Sequence, residues 1–118
     1  MLTSYVVIAM FASLLLAAVS GLGKLRHNQY IVKTVHEVVG VPMKWFPILA
    51  ALEIAIALGL LLGIEWPPIG VAAAIGMVLY FAGAIAAHVR VSDYSGSWPA
   101  IQMLCLAVAA LVTRTLSM

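Results

Sequence analysis

Charge is what this sequence has least of. Only 8% of its 118 residues are charged, six Lys or Arg and four Asp or Glu, against 65% hydrophobic residues. A soluble domain of this length needs a far larger charged surface, so the solvent of this chain is mostly lipid. Four spans of about twenty residues would use about two thirds of the chain. Little is left for a soluble domain, a nucleotide fold or a nucleic-acid surface. Cysteine is scarcer still: Cys105 stands alone, which excludes an internal disulfide and any CxxC dithiol chemistry. There is no His pair at a spacing suited to haem, no glycine-rich phosphate loop and no zincin motif. The chain carries no self-sufficient redox or hydrolytic machinery, and no intrinsic cofactor or metal site is expected. Whether it is an enzyme stays open at this point, because a redox role would need a bound quinone or a partner subunit carrying the cofactor.

What is present is long apolar runs. Four segments, at about 4–23, 45–64, 69–89 and 98–112, read as membrane spans of a single transmembrane domain. The fold class is all-α: an integral membrane four-helix bundle. The first segment begins MLTSY, without a basic n-region, and reads as a retained helix rather than a signal peptide. Between the first two spans, Ile31, Val32, Val35, Val38 and Val39 recur at helical spacing opposite Lys33, Thr34, His36 and Glu37, and Gly40 and Pro42 end the pattern. This predicts a short amphipathic helix at about 28–39. His36 beside Glu37 has no further ligands at metal-site spacing.

Within the spans the polar residues are few. Glu53 lies near the middle of WFPILAALEIAIALGLLLGI, where a charge costs about 2.5 to 3.5 kcal/mol on insertion scales. Ala50, Glu53, Ala57 and Leu60 share a helix face, so small residues flank the carboxyl and favour an interior position. Gly59 and Gly63 permit close packing beyond it. Ser13, Ala17, Ser20 and Lys24 follow at steps of four, three and four, a small and polar stripe on the first span. Met77, Phe81, Ala84, Ile85 and His88 line one face of the third span. Trp98, Gln102, Cys105, Ala109 and Val112 share a stripe on the fourth, with Gln102 about one turn inside and expected to face other helices. For Lys24 and His88, which end their spans, a plainly solvated role is an even alternative. Cys105 reads first as packing.

Five basic residues, Lys24, Arg26, Lys33, Lys44 and Arg90, fall in the first and third connections, against Arg114 alone opposite. The positive-inside rule then puts those connections in the cytoplasm and both termini outside. The expected location is a prokaryotic cytoplasmic membrane. On that topology Glu53 lies roughly 12 Å deep from Trp45, while Ser20 and Gln102 each lie about 6 Å deep. The strongly polar residues gather in one half and leave the other dry. The pattern describes a pocket with Glu53 at its floor and Lys24, His88 and Gln102 nearer its rim. Ser20, Ala50, Ala57, Phe81 and Trp98 would contribute ligand contacts. A carboxyl there can exchange protons with a quinone or, paired with an imidazolium, hold a polar head group.

The run S-G-L-G-K-L at 20–25, the pattern A-L-E-I-A-I-A-L-G-L-L-L-G at 51–63, a Pro-containing turn and a Gly/Ala-rich third span closing in A-A-H at 86–88 resemble the DoxX family and its DoxX-like relatives. The resemblance covers most of the chain. It implies that Lys24, Glu53 and His88 are the family's characteristic polar residues, and these three are the candidate catalytic residues. It also implies membrane redox or oxidative-stress chemistry, since the family name comes from a subunit of an archaeal thiosulfate:quinone oxidoreductase. Two functions follow as expectations. One is a site for a lipophilic small molecule such as a quinone. The other is a non-catalytic accessory subunit that stabilises a larger membrane complex. The expected surroundings are a lipid bilayer, with a membrane-protein partner or further copies of the chain, and no nucleic acid.

Overall fold

The computed structural model describes residues 2–21, Arg26, Gly40, 42–94 and 97–118. These are helical, with no strand among the described residues. Helix α1 covers Leu2–Leu14 and continues as a π-helix over Leu15–Gly21. A 3-10 turn, Met43–Trp45, leads into α2, Phe46–Leu62. Helix α3 is Pro67–Arg90 and α4 is Trp98–Leu116. The amphipathic helix expected at 28–39 lies outside the described residues.

Each helix after the first opens with proline in its first turn, where the missing N–H leaves no ladder bond unmade. The end of α3 is built as firmly. Ser92 takes a left-handed φ of 59°, its N–H donates to the Val89 carbonyl, and the Asp93 N–H donates to the His88 carbonyl. Those two bonds make a Schellman stop with serine in the place glycine usually takes.

The four helices form an antiparallel bundle in which α1 packs on α2 and α4, and α3 packs on α2 and α4. Leu2–Val19, Pro67–Arg90 and Trp98–Leu116 are long and apolar enough to cross a membrane, and α2 is a shorter apolar helix of 17 residues. The outer surface is apolar too: Val7, Met10, Phe11, Leu58 and Leu79 are exposed. This is an integral membrane bundle in a lipid environment, because such a surface has no stable place in water.

The core is rich in alanine. Ala9, Ala12, Ala50, Ala57, Ala74, Ala107 and Ala110 are buried, with Tyr5, Leu16, Phe46, Leu60 and Met77 as the large fillers. Small residues let backbones approach closely, which supplies van der Waals contact where lipid offers no hydrophobic drive. The tightest point joins α2 to α3. A Cβ on Gly63 would land on the Gly70 backbone and on the Tyr5 hydroxyl, and one on Gly59 would come within 2.8 Å of the Ala73 Cβ. Gly59 and Gly63 thus do the close packing that their spacing suggested.

The stripe expected on the first span changes course. Ser13 is buried, but Leu16 rather than Ala17 is the next fully buried residue. The helix is wound as a π-helix over Leu15–Gly21. A stripe drawn at 3.6 residues per turn drifts off the core once the winding widens.

Candidate functional site

Glu53 is fully buried, on a face of α2 with Phe46, Ala50, Ala57 and Leu60. The four residues expected to share that face do share it. From α3, the Tyr80 hydroxyl donates to Glu53 Oε1 at 2.5 Å. Tyr80 also packs edge-on against Phe81, with ring centroids 4.9 Å apart. A carboxyl at membrane depth thus has a phenol donor from the neighbouring helix. The pairing removes part of the cost of burying both polar groups.

Tyr80 has a second face. Together with Leu52, Ala55, Ile56, Gly59, Ala73 and Gly76 it lines an open apolar groove of about 640 Å³ along α2 and α3. No side chain fills the floor at Gly76, where an added Cβ would meet nothing within 4 Å. The tyrosine therefore joins an outward apolar groove to the buried carboxyl.

His88 does not share this arrangement. It is buried at the end of α3, and its Nδ1 lies 2.9 Å from Asp93 Oδ2. Eight residues along the helix, about 12 Å, separate it from Tyr80. The chain reversal that ends α3 brings Asp93 back over His88, so the imidazole is held in place rather than merely solvated. Lys24 lies outside the described residues, as does the side chain of Ser20.

Of the other expected ligand contacts, Ala50, Ala57 and Phe81 are buried in the core, while Trp98 and Gln102 are exposed on the outside of α4. Gln102 was expected to face other helices of the bundle. It faces outward because the inner face of α4 is taken by Ala100, Ala107, Ala110 and Arg114.

The half of the bundle expected to be dry is not. Arg114 is buried there. Its Nε donates to the Gly63 carbonyl at 2.8 Å, one terminal nitrogen to the Ile64 carbonyl at 3.2 Å and the other to Ser117 Oγ at 2.9 Å. The guanidinium carbon stands 5.4 Å from the Tyr5 ring centroid. Tyr5 donates to the Leu60 carbonyl at 2.7 Å, and Ser13 to the Ala57 carbonyl at 3.1 Å. The cation sits on the carbonyl end of α2, where the helix dipole favours positive charge. A count of loop charges used Arg114 only for orientation and missed this role.

Among the described residues, no group of three or more His, Cys, Asp or Glu could hold a metal ion. The fold and these polar ties define a small all-helical membrane protein with a buried carboxyl–phenol pair. Within that class the sequence pattern of the DoxX-like family matches residues 4–112, and the chain belongs to that family. Among curated proteins and solved structures, none matches the chain.

Proposed function

We propose that the protein binds a lipophilic small molecule with a hydrogen-bonding head group, of which a quinone is the type, in the groove along α2 and α3. The observation that carries this reading is Tyr80, which lines the groove and donates to the buried Glu53. A ligand tail lies against Leu52, Ala55 and Gly76, and its polar head reaches the carboxyl–phenol pair, which can give or take a proton. His88 with Asp93 stands nearer the membrane surface, as a proton-exchanging group between that pair and water. Electrons for any redox step come from a partner subunit, since this chain has no redox motif of its own. The excess of basic residues in the first and third connections supports an orientation with both termini outside and those two connections in the cytoplasm.

Native mass spectrometry of the gently solubilised protein tests the reading. Wild type is expected to retain a lipophile that Glu53→Gln, Tyr80→Phe and Gly76→Leu each lose. Gly76→Leu fills the groove and leaves the core untouched, so a ligand that survives it is not in the groove. The accessory-subunit reading draws on the small outward residues Gly76 and Gly83 of α3, against which a partner helix could lie closely. A stoichiometric protein partner, with no ligand and no effect of Glu53→Gln, supports it instead.

A further inference from the structure

The outer face of α4 carries a pattern that neither the core nor the groove uses. Trp98, Gln102, Cys105, Ala109, Val112 and Leu116 follow at steps of four, three, four, three and four. That is the a/d spacing of a helix–helix seam. All but Ala109 are exposed, and Ala109 is half-buried. The inner face of the same helix already packs through Ala100, Ala107, Ala110 and Arg114. Helix α4 therefore has two seams, one of them filled by no packing that the described residues show.

Gln102 decides what fills it. It has no hydrogen-bond partner among the described residues, and it lies one turn into an apolar helix, where an unmatched amide is costly. A neutral amide is donor and acceptor at once, so its simplest complement is another amide. We infer that a second copy of this chain docks on this seam, forming a homodimer in which the two α4 helices pair and Gln102 bonds to its counterpart. Two copies inserted in the same sense are related by a two-fold axis along the membrane normal, so each seam residue meets itself. A single polar residue in such a seam fixes register and stoichiometry. The small residues Cys105 and Ala109, one and two turns further in, let the backbones approach. This inference is independent of the ligand reading, because α4 does not line the groove.

The lone thiol makes the test direct. In native membranes, copper-phenanthroline oxidation is expected to join Cys105 to Cys105, two thiols giving up two protons to water and two electrons to the oxidant. Gln102→Leu should lower the cross-linked fraction by about three- to tenfold, and Gln102→Asn should keep most of it. Leu79→Cys in a Cys105→Ser background, on the outer face of α3, should cross-link little. Equal cross-linking of the α3 control marks random collision and overturns the inference. So does a wild-type chain that stays monomeric, one that cross-links to a different protein, or a yield unaffected by Gln102→Leu. Subunit counting by single-molecule photobleaching gives a second readout that needs no disulfide.

Discussion

Glu53 and Tyr80 show how far single residues can be read in advance. Glu53 stands out because a carboxylate in twenty apolar residues has few reasons to be there. Tyr80 could have been found by the same logic with one added step. Glu53 lies eight residues after Trp45 and Tyr80 eight before His88, so antiparallel helices bring the two level. Their coupling is measurable. In a double-mutant cycle with Glu53→Gln and Tyr80→Phe, unfolding in mixed micelles should show an interaction of about 1 to 3 kcal/mol. Additive losses would mean that the bond contributes nothing to stability. Arg114 is a harder case, because no residue pattern announces that a guanidinium near a helix end will turn inward. Replacing it by alanine should cost about 2 to 4 kcal/mol, since the Gly63 and Ile64 carbonyls lose a charged donor and the Tyr5 ring its cation. Lysine should restore only part, because one ammonium cannot reproduce a planar fork. Full recovery in Arg114→Lys by the same unfolding titration would reduce the residue to a charge.

At the scale of elements, helix ends and close crossings are set by local chemistry. Ser92 carries a left-handed φ that costs an L-residue roughly 1 kcal/mol or more. Ser92→Gly should therefore stabilise the protein by about 1 kcal/mol while leaving the His88–Asp93 pair in place. A destabilised variant would show that the serine side chain contributes more than its backbone costs. Gly63→Ala should act in the opposite direction, by about 3 kcal/mol or more, because the Gly70 backbone cannot yield without parting α2 from α3. A folded, near wild-type Gly63→Ala protein would require a wider crossing than the one described. The π-helix at Leu15–Gly21 belongs to this scale too. Apolar periodicity predicts a helix there but not its winding, because α and π ladders use the same residues and differ only in which carbonyl each N–H reaches.

For the whole molecule, aromatic residues mark both ends of the bundle. Trp45 and Trp98 are exposed at the end where α3 closes, and Trp66 is exposed at the opposite end, the positions at which indole rings sit between lipid tails and head groups. Charge asymmetry predicts which end faces the cytoplasm. A Tyr94→Cys probe in a Cys105→Ser background should react with a membrane-impermeant maleimide only from the cytoplasmic side. Labelling from outside intact cells would invert the topology without altering the fold.

The sequence by itself determined the solvent, the all-helical class with its four apolar helices, and the inward face of α2. Each of these depends on composition or on a period, and a period survives without knowledge of neighbours. Only the tertiary structure decided the partners: Tyr80 for Glu53, Asp93 for His88, and the end of α2 for Arg114. It also turned Gln102 outward, against expectation. A stripe tells which residues of one helix lie together, whereas a partner depends on how two helices are rotated against each other. In this bundle that rotation is fixed by contacts as small as Gly63 on Gly70, which hydropathy does not register.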